Sequence, residues 1–384
     1  MTLDLFAFEM LSGRRLTPLP KIAAQWKVTT NADESITCTI PASDRNVKRL
    51  RVWEMSTLAR NGLLAVVDGL PVAAGPIWRR RYNASTGRIE LTAGGLRSYF
   101  TKRVAVPVSA SGQPLVDANG DPVTAYDTRT VNMSLGTVAK RYVELARAWP
   151  GGAVPMVLPN DEARPGRDIT VKAIDLKRIG DLIDNLSDVI NGPDIAFRPR
   201  FSSDGAGIYW EMQTGTEANP RLGSTDALAT KWSYGAPKSP AFDLEIDEDG
   251  SGHASRFWVT GGAGSDKVVT AQTYSPTLIA AGFPLLDGVD AGNSSLSEQS
   301  TANDKAAQGV KLGQYASSFW SMKVVAHSER APKLGEYWLG DLATINIDKR
   351  EPVLPAGDSV RRIAAISGDE TDKSYNIDFA EALV

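Results

Sequence analysis

Nucleophilic catalysis needs a base within hydrogen-bond reach of a serine or cysteine, and this sequence offers only His253, His327 and one thiol, Cys38, to build from. His253 lies in a Gly/Ser turn and His327 at the end of a strand-like run, so no spacing rule pairs either with a nucleophile. Cys38, between Thr37 and Thr39 on an alternating segment, reads as a small core residue rather than a thiolate. One cysteine and two histidines cannot assemble a Cys/His zinc cluster, and a lone cysteine excludes an internal disulfide. Gly261-Gly262-Ala263-Gly264-Ser265-Asp266-Lys267 looks like a phosphate cradle, but the lysine lacks a following Ser/Thr and the run joins two strand-like segments, which makes it a hairpin loop. Asp247-Glu248-Asp249-Gly250 opens like a calcium loop, yet Trp258 stands where the closing glutamate must be, leaving a solvated acidic turn. Glycoside hydrolysis asks only for two carboxylates beside sugar-stacking aromatics, and the nine tryptophans keep it open. Glu211 beside Trp210 is the candidate there, although the alternation Ile208, Trp210, Met212 turns Trp210 to the core and Glu211 to solvent. No nucleophile elbow, zincin helix, P-loop or dinucleotide fingerprint occurs. The expectation is a protein that is not an enzyme, with no catalytic, cofactor-binding or metal residues and no cofactor.

The elements that would carry a different kind of function are mostly strands. Trp26 and Val28, then Ile36, Cys38 and Ile40, alternate around the polar tip Asn31-Ala32-Asp33-Glu34, which predicts a hairpin with one buried face. A second hairpin spans Leu63 to Trp78 across the favoured turn Asp68-Gly69, and a strand follows from Gly87 to Thr92. With a short helix near Leu96 to Lys102, residues 1–104 form a first β-barrel or sandwich domain. Arg79, Arg80 and Arg81 split between the two faces of one strand and serve either as edge protection or as ion pairs across a subunit contact. Residues 105–128 hold two similar turn-rich pieces and read as an exposed loop arm.

That arm opens an α+β middle domain over 105–226. Ser134 caps a helix carrying Leu135, Val138, Tyr142, Leu145, Ala146 and Trp149, stopped by Pro150-Gly151-Gly152. A second helix bears Ile179, Leu182, Ile183, Leu186, Val189 and Ile190 and ends at Asn191-Gly192-Pro193; the hairpin Ile195 to Met212 follows. Period-2 alternation returns in 227–275 and 317–384, a second β-barrel domain, interrupted by a loop and helix insertion at 276–316. The helix of that insertion, Ser300 to Ala316, has a small-residue face of Ala302, Ala306, Val310 and Gly313 suited to close contact with a partner or with its own chain. The fold class is therefore α+β, mostly β, with two related antiparallel β-barrel domains, an inserted α+β domain and a small helical insertion. One internal echo supports duplication: Trp78-Arg79-Arg80-Arg81 to Leu91 and Val360-Arg361-Arg362-Ile363 to Phe379 both run from a strand with paired arginines through a glycine turn into an acidic/apolar strand. A generic basic/acidic hairpin would leave the same pattern.

Composition agrees with a folded, non-membrane protein. The chain has 384 residues, 42% hydrophobic and 23% charged, enough for two to four domains. Its net charge of -3 provides no basic footprint for nucleic acid. The N-terminus carries Asp4 and Glu9 and lacks a signal peptide's pattern, and the most apolar window, Leu63 to Pro76, falls short of the roughly 18 residues a span needs. Synthesis in a reducing cytoplasm is expected.

In order and spacing the chain resembles the tail hub or minor tail proteins of long-tailed bacteriophages, in particular the actinobacterial-phage set similar to the baseplate hub of contractile tails. The resembling pieces are Val67-Asp68-Gly69-Leu70-Pro71-Val72 through Gly75-Pro76-Ile77-Trp78, Gly87-Arg88-Ile89-Glu90-Leu91-Thr92, the Asp188 to Phe197 turn with Asp204-Gly205, and Leu339-Gly340-Asp341 through Arg362-Ile363 to Ser367-Gly368-Asp369. The resemblance implies a homotrimer whose two barrels per subunit make a pseudo-six-fold ring in the virion tail tip. Its implied partners are the tail tube, the distal tail protein, the tape-measure protein and other tail-tip proteins. DNA would pass through the lumen without specific binding, and the chain would not insert into a membrane. It also implies the absence of an appended enzyme, since the sequence stops just after the last strand. Two alternatives stay open: a distal tail ring protein, and a cell-wall carbohydrate-binding or hydrolytic β protein.

Overall fold

The computed structural model describes residues 2–162, 166–189, 192–261, 268–293 and 299–381. The chain divides into two compact units, one running up to Leu244 and resuming at Met322, the other comprising Glu245–Ser321. The larger unit begins with seven strands: β1 (Leu3–Glu9), β2 (Arg15–Pro18), β3 (Ala23–Thr29), β4 (Ser35–Pro41), β5 (Asn61–Val67), β6 (Leu70–Asn83) and β7 (Arg88–Gly94). They pair in the order β2, β1, β5, β6, β7, β4, β3. The predicted hairpins are all present, and the β5–β6 turn is made by Asp68 and Gly69, both at positive φ, the geometry that matches a twisted two-residue hairpin. Every residue of β5 is buried, so its apolar run faces protein on both sides.

β6 is long because it belongs to two pairings, joined to β5 through Pro76 and to β7 from Ile77 onward. The change of partner requires a backbone crossing at Gly75, where a Cβ would lie 2.0 Å from the Gly94 carbonyl oxygen.

The middle segment supplies β8 (Thr128–Met133), β9 (Met156–Val157), β10 (Arg167–Val171), β11 (Ile195–Phe201) and β12 (Ile208–Thr214), with the helices Leu135–Ala148 and Ile179–Ser187. Ser134 caps the first helix as expected, accepting from the Thr137 N–H. The second stops at Ser187, short of the predicted Asn191-Gly192-Pro193; Asp188 closes it on the Asp184 carbonyl, and Val189 is 38% exposed rather than part of the apolar stripe. Phe8, Leu64, Tyr142, Ile183, Phe197 and Trp210 share one core, so helices, hairpin and first sheet are packed together. The 105–128 arm contains two short 3-10 turns before β8 and is tethered by a small cluster of Val106, Ala110 and Ala173.

β13 (Lys231–Tyr234) and β14 (Ala241–Asp249) follow, and the chain then enters the smaller unit. There β15 (Arg256–Gly261) lies between β16 (Val269–Tyr274) and β17 (Asp287–Asn293), one face covered by the helix Gln299–Gly313. Residues 256–274, assigned from their alternation to the second barrel, instead pack with the 287–313 segment. Val259, Val269 and Ala271 bury against Ala302 and Ala306, and alternation reports a buried face without saying what covers it.

After β18 (Ser317–Val325) come β19 (Leu342–Ile347), β20 (Gly357–Asp369) and β21 (Ser374–Glu381). β19, β13, β14, β18, β21 and β20 close into a six-stranded ring through the additional β19–β20 pairing. The ring departs from the antiparallel barrel expected from the sequence: β13 runs parallel to β19, which it reaches only after the long excursion through 245–321, and meets β14 in parallel at the single pair Tyr234–Ala241. Trp232, Tyr337 and Phe379 fill it, with ring centroids 5.0 and 6.0 Å from Trp232. β20 also pairs with β3, which makes ring and first sheet one continuous sheet of thirteen strands. The internal echo falls on β6–β7 and β20–β21, two hairpins in which a long strand carries a register shift just beside its arginines.

Candidate interaction surfaces

The residues singled out for chemistry are scattered. Cys38 is 2% exposed, and burial pushes its thiol up to about 12, so it stays protonated at neutral pH. A folded sample is expected to react with a disulfide reagent at least tenfold more slowly than an unfolded one, measured by thiolate release at pH 8. His253 contacts the Gly313 carbonyl at 3.1 Å and the Phe283 ring at 5.4 Å. His327 lies 3.6 Å from Asp68 and is largely exposed. Asp249 accepts from the Ser251 N–H, as an acidic turn should. Gly261 ends β15, and the remaining residues of the glycine run, 262–267, fall outside the described residues. Trp210 is fully buried, and Glu211 points outward to pair with Arg200 at 2.9 Å. Among the described residues, no three His, Cys, Asp or Glu gather as a metal site, and no helix is long and apolar enough to cross a membrane.

The arginines of β6 divide as the strand period demands. Arg80 lies 3.5 Å over the Trp53 ring and bonds to the Ser56 carbonyl at 3.2 Å, clamping a short helix to the sheet. Arg81 pairs across the hairpin with Glu90 at 3.7 Å. The small-residue face of Gln299–Gly313 makes its close contact within its own unit: a Cβ on Gly309 would lie 2.4 Å from the Phe257 ring.

Two other arrangements left no local signature. In the smaller unit the sheet face opposite the helix presents Trp258, Tyr274 and Val289, which are 39, 52 and 65% exposed. Arg256 holds Asp287 through two hydrogen bonds, and Asp287 fixes the Trp258 indole N–H at 3.2 Å. In the larger unit, Arg198 sits 4.2 Å over the Trp338 ring beside a groove of about 490 Å³. Burial, followed by repulsion from Arg200, lowers its pKa to about 10. Glu211 and Asp341 act on Arg198 in the opposite sense, and which arginine is buried over an indole is decided by tertiary packing rather than by local sequence.

No protein-family model matches the sequence, and no curated protein matches it. Solved structures do. The tail protein from Neisseria meningitidis aligns over 100% of this chain and 97% of its own, with a TM-score of 0.56 at 15% identity. This is a phage tail-protein fold. The 43 kDa tail protein of prophage MuSo2 from Shewanella oneidensis gives a TM-score of 0.58 at 9% identity, covering 98% of each chain. Prophage tail protein gp18 from Listeria monocytogenes gives 0.51 at 12% identity, covering 98% of this chain and 94% of its own. The tail-protein fold thus extends over both units and is not confined to one barrel.

Proposed function

We propose that this chain is a structural component of a phage tail, the hub that connects the tail tube and distal tail ring to the tail tip. The observation that carries the proposal is the agreement in fold with tail proteins along essentially the whole chain. In this reading three subunits close into a pseudo-six-fold ring, each contributing the first sheet and the six-stranded ring as its two related parts. The β3–β20 pairing supports it, since it holds those parts in one continuous sheet, as a rigid ring wall requires. The chain then acts by assembly and not as an enzyme. It sits in the virion, contacts the distal tail and tape-measure proteins, and lets DNA pass without specific recognition, for which a net charge of -3 is suitable.

Native mass spectrometry of the untagged protein over a concentration series tests the reading. A threefold mass of the 41.2 kDa chain is expected. A sixfold mass would transfer the chain to the distal tail ring. A persistent monomer that turns over cell-wall glycan would replace both readings with a hydrolytic one.

A further inference from the structure

The open face of the smaller unit's sheet is built as a small array. Phe257 and Val259 on β15 turn toward the helix Gln299–Gly313, so the alternate residues Arg256 and Trp258 turn away from it. Strand register completes two rows across the three strands: Tyr274, Arg256 and Asp287 in one, Gln272, Trp258 and Val289 in the next. Asp287 organises both. Its two oxygens take Nε and a terminal nitrogen of Arg256 at 2.5 and 2.8 Å, and one of them also accepts the Trp258 indole N–H at 3.2 Å. An indole whose N–H is tied to the neighbouring strand lies down across the sheet instead of standing off it, with one ring face outward. The Arg256 guanidinium borders that ring at 5.4 Å from its centroid, well beyond the 3.5 Å at which Arg80 covers Trp53, so the outer face stays open and Trp258 is 39% exposed.

Charge, composition and shape select the occupant. The charges of these two rows, Arg256 and Asp287, neutralise each other, which favours an uncharged ligand. The apolar part, the Trp258 and Tyr274 rings with Val289, is interleaved with Arg256, Gln272 and Asp287, whereas a protein partner closes over a contiguous dry core. Beside the indole stand the N–H groups of Arg256 that Asp287 leaves free and the exposed Gln272 amide, which is both donor and acceptor. A pyranose ring carries the matching surface, with axial C–H bonds over its faces and hydroxyls around its rim. We propose that this face binds an uncharged, β-1,4-linked pyranose chain, one sugar lying on the Trp258 indole while Gln272 and Arg256 bond its hydroxyls and Tyr274, diagonally across the array, meets the next sugar. The β-1,4 linkage keeps such a chain a flat ribbon, as a sheet face requires, whereas an α-1,4 linkage coils it. The tethered indole has little freedom left to lose on binding. The contact needs no assembled ring and no bond cleavage.

Titration calorimetry of the full chain with cellotetraose, chitotetraose and maltotetraose tests this. Cellotetraose or chitotetraose, flat β-1,4 chains that differ at the 2-substituent, is expected to bind saturably at millimolar concentration and at least tenfold more tightly than the coiled maltotetraose. Trp258→Ala should lower that affinity at least tenfold and Gln272→Ala by a smaller factor, while Trp53→Ala, which removes an exposed indole of the larger unit, should leave it unchanged. If Trp258→Ala fails to fold, Gln272→Ala and the comparison of the three sugars on the wild-type protein still decide. No saturable heat from either β-1,4 sugar, equal affinity for maltotetraose, or binding that survives Trp258→Ala would overturn the proposal. So would a native mass lower for Trp258→Ala than for wild type, which would make the face a contact between copies of this chain.

Discussion

Trp210→Ala is expected to destabilise the larger unit by about 3–5 kcal/mol, the range for removing a large buried aromatic. Trp210 is fully buried, its ring 5.6 Å from Phe8, and its indole N–H donates to the Ala74 carbonyl at 3.2 Å. One side chain thus ties β12 to β6 and β1, and its loss opens a cavity and removes the buried hydrogen bond to the Ala74 carbonyl. Trp210→Phe fills most of the space and loses the hydrogen bond, so its cost should be about 1–2 kcal/mol. Urea unfolding followed by far-UV circular dichroism measures both. A loss below about 1 kcal/mol for the alanine variant would mean that the middle segment and first sheet do not share a core.

Glu34→Gln should act in the opposite direction, and only above acidic pH. Glu34 closes the tip of the β3–β4 hairpin with its carboxylate oxygen Oε2 enclosed over Gly95, where a Cβ would lie 2.6 Å from it. Oε2 has no partner, and Arg97 is already committed to Asp184 at 2.6 Å and the Ile195 carbonyl at 3.3 Å. Burial, reinforced by the neighbouring Asp33 charge, raises the Glu34 pKa from 4.5 to about 8. The folded protein therefore retains a proton that the unfolded chain releases near 4.5, so stability declines as pH rises from about 4.5 to about 8 and levels off above that. Asp33, also raised by burial, acts in the same sense. A glutamine amide has no such proton to lose. The variant should match wild type at pH 4 and exceed it at pH 8 by on the order of 5 kcal/mol, since each pH unit between the unfolded titration at 4.5 and the folded one at about 8 is worth about 1.4 kcal/mol. Parallel melting-temperature curves from pH 4 to 8 would rule out an enclosed, protonated Glu34.

Glu34 also marks the limit of what the residues reveal by themselves. Alternation located the β3–β4 hairpin and its buried face, and Trp26, Val28, Ile36, Cys38 and Ile40 are all buried. The same pattern made Asn31 to Glu34 a polar tip but gave it no partner, whereas the Asn31 side chain accepts from the Ile195 N–H at 2.8 Å and donates to Asp194 at 2.9 Å. Those partners lie some 160 positions away. Local period identifies a strand, a cap or a tight turn because backbone sterics act over a few residues. It does not identify the surface on which a turn will rest. The Ser134 cap and the Asp68-Gly69 turn were accordingly legible, while the parallel placement of β13, the separate packing of 256–274 and the seat of Arg198 on the Trp338 ring were not.

The β3–β20 pairing has a consequence for how the protein is made. Gln25 to Thr29 emerge from the ribosome early and find their partners, Ala365 to Asp369, only when almost all of the chain has followed. The ion pairs Lys21–Glu370 and Lys27–Asp378 must wait equally long. Until then β3 presents an open strand edge to every other nascent copy nearby, at the moment when an unpaired edge is most prone to join the wrong neighbour. Translation speed and the supply of chaperones should therefore govern the soluble yield more than the final stability does, and a release of the chain before residue 365 should send the product into aggregates rather than into a smaller folded half.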